Sequence, residues 1–176
     1  MSKTPSERPI TSIVDLLALA YQIEADAVQR YTELGEQMET HNNQDLVRVF
    51  RDLARAEGNH AEEIRKMAGD IDLAAHAQHL GRWKKGASPE EADLGAAHYL
   101  MTPWHALQLA LTGEKQALAF FTSILDSAND ATIKKMAAEF AEEEAEHVNL
   151  VYRLLRKHPK PADTWLEDDD PPAPQD

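Results

Sequence analysis

The 176-residue chain has no cysteine, which excludes disulfide frameworks, zinc fingers, thiol catalysis and cysteine-ligated iron–sulfur centres. It has no run of about 18 apolar residues, so no membrane-spanning helix is expected. Aromatic residues are scarce at 6%, so the core must be aliphatic. Basic residues number only 18 against 31 acidic ones. A formal charge of −13 argues against nucleic acid or an anionic membrane as partner, because both demand positive surface. The start, MSKTPSERPITS, lacks the apolar stretch of a signal peptide, which makes a cytoplasmic location the expectation.

Proline is missing from two long tracts, 10–88 and 104–158, and its nine copies fall outside them. Proline costs about 3 kcal/mol inside a helix, so such tracts are where long helices can form. Val/Ile/Thr alternation bounded by hairpin dipeptides is absent, which argues against strands.

What is present is a helical apolar period in four segments. The first runs Ile13, Leu17, Ala20, Glu24, Ala27, Tyr31, Leu34, Met38, and the second Leu46, Phe50, Leu53, Glu57, His60, Ile64, Met67. The third runs Leu107, Ala110, Glu114, Ala117, Phe121, Ile124, and the fourth Ile133, Ala137, Phe140, Glu144, His147, Val151, Leu154. Steps alternating between three and four are those of bundle seams. Ser12 with Asp15, Thr102 with Pro103, and Asp130 supply helix starts. Short connections near 40–44 and 126–130 make each successive pair an antiparallel hairpin. The fold expected is therefore an all-α antiparallel four-helix bundle over residues 12–157, with a long crossover at about 70–102 between helices 2 and 3. Residues 1–11 read as a flexible start and 158–176 as an acidic, proline-rich, mostly disordered tail. Ser88-Pro89-Glu90-Glu91 resembles a helix start, so a short extra helix is expected inside the crossover.

Each seam is apolar except at one level, where all four helices place an acid on the core line: Glu24, Glu57, Glu114 and Glu144. Helices 2 and 4 add His60 and His147 three residues on, one turn along the same face. The two halves match, since Glu24 is followed by Glu57 and His60 as Glu114 is by Glu144 and His147. A single Glu on a seam, a lone core His or one E-x-x-H string carries little weight. The conjunction of six such residues in two matched halves is specific. Burying one unpartnered carboxylate costs several kcal/mol, so four together require a cation. Oxygen and imidazole donors suit iron, manganese or zinc, and two of the acids can each bridge a pair of ions.

Other features read as ordinary. His76, His79, His98 and His105 lie in or beside the crossover and are expected to be solvated. Arg82, Lys84 and Lys85 around Trp83 form a surface patch, and Glu142, Glu143 and Glu146 an exposed face. Gly58 and Gly113 stand inside helices beside expected ligands, at a cost of roughly 1 kcal/mol each, which a close helix approach, a local bulge or mere tolerance would explain.

On the motifs IEADAVQRY, AEGNH, GEKQALAFF and EEEAEH, the chain resembles the ferritin-like superfamily of di-iron carboxylate bundles, close to rubrerythrins and bacterioferritins. The resemblance implies that Glu24 and His60 serve one metal, Glu114 and His147 the other, with Glu57 and Glu144 bridging. It implies two Fe ions, with Mn or Zn as alternatives, and a ferroxidase- or peroxidase-like oxidoreductase taking Fe(II) and O2 or H2O2 with an external electron donor. Iron storage or handling, and a metal-stabilised binding module without catalysis, are the alternatives. A homodimer or another homo-oligomer is expected. Where rubrerythrins carry a second third-helix Glu this chain has Ala117, and without Cys it has no rubredoxin module. Gly58 stands where bacterioferritins place the haem-binding Met, so haem is not expected. No fifth helix is readable in the tail, which speaks against a cage.

Overall fold

Among the described residues, four long helices form where the capping chemistry and the apolar period coincide, and one short helix forms on its caps alone. The computed structural model describes residues 10–81 and 101–162, which hold α1 (Ile13–Thr40), α2 (Gln44–Ala68), α3 (Leu73–Leu80), α4 (Pro103–Ser127) and α5 (Ala131–Lys157). Among the described residues there is no strand. The Ser12 hydroxyl accepts from the Asp15 amide and the Asp15 carboxylate accepts from the Ser12 amide, closing a capping box at the start of α1. Thr102 caps α4 with Pro103 in its first turn, and Asp130 caps α5 by accepting from the Thr132 and Ile133 amides. α2 stops at Gly69, whose φ of +64° suits a residue without a side chain.

α1 packs along α2, α4 along α5, and α1 touches both α4 and α5, which closes the bundle. This is the all-α ferritin-like arrangement expected. No described helix is long and apolar enough to cross a membrane.

The crossover opens with a helix that the sequence period does not announce. α3 is a two-turn element capped by Asp72 and ended by Gly81 at φ +61°, and it packs on α1. His76, expected to be solvated, instead has Nε2 2.8 Å from Asp15 Oδ1, tying the crossover to the cap of α1. His105 likewise serves structure, its Nδ1 accepting from the Thr102 amide at the start of α4. The basic patch, His98, the helix start at Ser88 and most of the tail lie outside the described residues.

The strict 3.5-residue seam fails at its ends. Ile13 and Met67 are exposed at 39% and 60%, and Ala68 is buried instead of Met67. A straight helix repeats every 3.6 residues and drifts about 20° per heptad from a 3.5 repeat, so the buried stripe moves on by one residue.

Candidate metal centre

The core is divided into two apolar clusters, and the acids lie between them. One cluster includes Leu16, Ile23, Ile64, Phe121, Ile133 and Phe140; the other includes Ala27, Leu34, Phe50, Leu53, Leu107 and Val148. Along each long helix the Glu falls at the junction: after Ile23 in α1, Leu53 in α2 and Phe140 in α5, and before Ala117 in α4. Glu24, Glu57, Glu114 and Glu144 are between 1% and 4% exposed, too dry to hold four uncompensated charges. His60 and His147 close the layer and keep partial contact with solvent, their side chains 25% and 14% exposed.

Glu57 is the hub. Its Oε2 lies 3.3 Å from His60 Nδ1, and its Oε1 lies 3.0 Å from His147 Nδ1. Glu24 Oε2 stands 3.8 Å from His60 Nδ1, and Glu114 Oε2 stands 3.5 Å from His147 Nδ1. Two groups result, Glu24–Glu57–His60 and Glu57–Glu114–His147, each with three donor atoms close enough to meet one ion. Glu144 belongs to neither; its Oε2 is 3.9 Å from His147 Nδ1 and it lies against Glu114. Thus five of the six expected residues converge in the two groups, and Glu144 borders the second.

Glu24 Oε2, both oxygens of Glu57 and Nδ1 of both histidines are buried and make no hydrogen bond. Orphaned polar atoms of this kind are rare in native interiors. Here they come from one layer and form a mixed oxygen and imidazole set that suits iron, manganese or zinc.

Proton affinities are sorted by neighbours. Burial, aided by the negative Glu57, pushes the Glu24 carboxyl up to about 8. Burial together with Glu114, Glu24 and Glu57 pushes Glu144 up as well. Burial acts against Glu57 too, but the imidazoles of His147 and His60 outweigh it and hold that carboxyl below its usual range. Glu114 is also held low despite burial, by His147 and the Arg30 guanidinium. His60 is raised to about 10 by Glu24 and Glu57; His147 reaches about 10 because Glu114 and Glu57 overcome its burial. Without metal, the layer is therefore a network of proton-bearing imidazoles between ionised and protonated carboxyls.

Two further residues complete the layer. Arg30 is 1% exposed, with Nη2 3.2 Å from Glu114 Oε1, and the Tyr31 hydroxyl donates to the same oxygen. Tyr31 occupies a seam position in the sequence, whereas Arg30 stands one residue off it and carries no periodic signal. The one clue to a buried cation was the excess of acids in the layer.

The family model described as Rubrerythrin matches residues 15–101 and 105–169, spans that contain all six of these acids and histidines. The crystal structure of an uncharacterised conserved protein from Magnetospirillum magnetotacticum MS-1 is 36% identical, over 86% of this chain and 99% of that one, with a TM-score of 0.72. Comparison with curated proteins gives no match.

Proposed function

The chain belongs to the rubrerythrin family, and from that premise we propose that it is a non-haem di-iron oxidoreductase that reduces O2 or H2O2. The observation that carries this reading is the Glu57 carboxylate, which turns one oxygen to each histidine of a matched pair. In this reading Glu24 and His60 would hold one ion and Glu114 and His147 the other, with Glu57 as the acid common to both groups. Glu144, one turn before His147, completes the set beside Glu114. A bound iron pair supplies the electrons for reduction of the oxidant.

The side chains do the rest. Both imidazoles and the Glu24 carboxyl carry protons at neutral pH in the metal-free layer, and Glu144 is shifted the same way by burial and its acidic neighbours, so loading competes with protons. His60 is the more exposed of the two imidazoles and the one nearer to solvent. The apolar clusters on either side keep bulk water away from the acids. Reducing equivalents come from an external donor in this reading, and the protein works as a homodimer or small homo-oligomer in the cytoplasm.

The test is stopped-flow mixing of anaerobically Fe(II)-loaded protein with O2 and, separately, with H2O2. Oxidation of bound iron faster than that of free Fe(II) in the same buffer is expected with at least one oxidant. Rates equal to free iron with both would overturn the assignment. A very large particle on size exclusion would move the function to iron storage.

A further inference from the structure

Arg30 lies beside the centre without joining it. Its guanidinium carbon stands 4.6 Å over the Tyr31 ring centroid, and its Nη2 reaches Glu114 Oε1 at 3.2 Å. The Tyr31 hydroxyl donates to that same oxygen. Glu114 Oε1 is thereby capped by two donors from α1, and Oε2 is the oxygen facing His147. Glu24 differs: its Oε2 is buried without a hydrogen bond, and its nearest ring nitrogen is His60 Nδ1 at 3.8 Å. The two groups match in donor type and differ in what surrounds them: the Arg30 guanidinium stands against Glu114, with the Glu144 carboxyl also beside it, and among the described residues no such cation contacts Glu24 in this way.

We propose that Arg30 makes the two metal positions unequal, so that the Glu24–Glu57–His60 position fills first and the Glu57–Glu114–His147 position second. The inference rests on the metal pair proposed above. A guanidinium remains protonated at any working pH, so its charge cannot be withdrawn when a cation arrives. In a dry layer its repulsion of a divalent ion is poorly screened, and it already compensates part of the Glu114 charge. Its hydrogen bond also fixes Glu114 to offer one oxygen. Orientation favours binding modestly, whereas like charge in low dielectric opposes it strongly, so the charge decides the order. Arg30 is a positioning residue, acting on the ion through Glu114.

The test is calorimetric titration of the metal-free full chain with Zn(II), for the wild type, Arg30→Gln and Arg30→Lys. The wild type should show two phases of one ion each, differing in affinity by about tenfold or more. Arg30→Gln should leave the tighter phase in place and tighten the weaker one until the gap closes. Arg30→Lys, which keeps the charge, should keep the gap. A gap unchanged in Arg30→Gln, or both phases weakened alike in both variants, would overturn the proposal. Should Arg30→Gln fail to fold, the wild type decides, because two equal phases there overturn the proposal while leaving the metal pair standing. Saturation at one ion or none would instead overturn the pair itself.

Discussion

His60 and His147 lie ring against ring, with centroids 5.9 Å apart and planes 12° from parallel. They come from α2 and α5, the second helix of each hairpin, and they flank the same Glu57 carboxylate. Two raised imidazoles in such proximity are tolerable only because acids separate and surround them. The pairing makes the metal-free layer a proton store that a pair of cations can replace.

Loss of the shared acid should be felt twice. Glu57→Ala is expected to weaken both metal positions, and Glu24→Ala mainly one. Removing a ligand should cost at least the 10–100-fold typical of a supporting partner. Zn(II) titration of the two variants checks this; equal losses from both at both positions would contradict the shared role of Glu57.

Stability of the metal-free protein should fall as pH rises from above 4.5 toward 10. Glu24 is lifted from 4.5 to about 8, so the folded state resists an ionisation that the unfolded chain undergoes readily, and stability is lost across that interval. His60 and His147, raised from 6.5 to about 10, contribute fully below 6.5 and lose that contribution as pH climbs toward 10. Glu57 and Glu114, held low, contribute above 4.5 and cease to do so only in acid. Metal reverses the trend, because its ligands must be deprotonated and its stabilisation grows with pH. Denaturant unfolding at pH 5.5 and 8.5, with and without Zn(II), should show the added stability from metal larger at 8.5. A metal increment independent of pH would contradict this protonation scheme.

Replacing the raised carboxyls with their neutral amides should stabilise the metal-free chain. Glu24→Gln/Glu144→Gln mimics the protonated form and is expected to add about 1–3 kcal/mol at pH 8.5, with little gain at pH 5. Thermal melts at the two pH values measure it. A double variant less stable than the wild type at pH 8.5 would mean that these acids do not repel across a shared layer. Glu57 is the wrong target for such a change, since its ionised form is held by both imidazoles.

Gly58 has room for a side chain. A Cβ built there meets Val28 Cγ2 at 3.9 Å, an ordinary contact, so close helix approach is not what keeps it a glycine. Gly58→Ala should stabilise α2 by about 0.5–1 kcal/mol. A lower melting temperature in the metal-free variant would show that the helix needs the glycine next to Glu57.

The bundle was legible because burial demands a period that helices must honour over their whole length. Glu24, Glu57, Glu114 and Glu144 stood out as acids on that period, and the structure buries all four. α3 was not legible, since two turns are too short to show a period, although Asp72 and Gly81 mark its ends. Met67 lies off the buried stripe, and Ala68 on it, because a 3.5-residue count falls behind a 3.6-residue helix. The burial of Arg30 is not legible, because a charged residue one step off a seam reads as solvent-facing until a neighbouring helix supplies Glu114. Glu144 shows a further limit. Sequence symmetry makes it the twin of Glu57, but carboxylate orientation and protonation depend on the acids packed around it, and it turns toward Glu114.

The central claim is that this layer holds two metal ions, and anaerobic titration of the metal-free chain with Fe(II), read by metal analysis after removal of unbound iron, tests it most directly. The account predicts saturation at two Fe per chain, falling to one or fewer in Glu57→Ala; saturation of the wild type at one ion, or no retained iron, would contradict it.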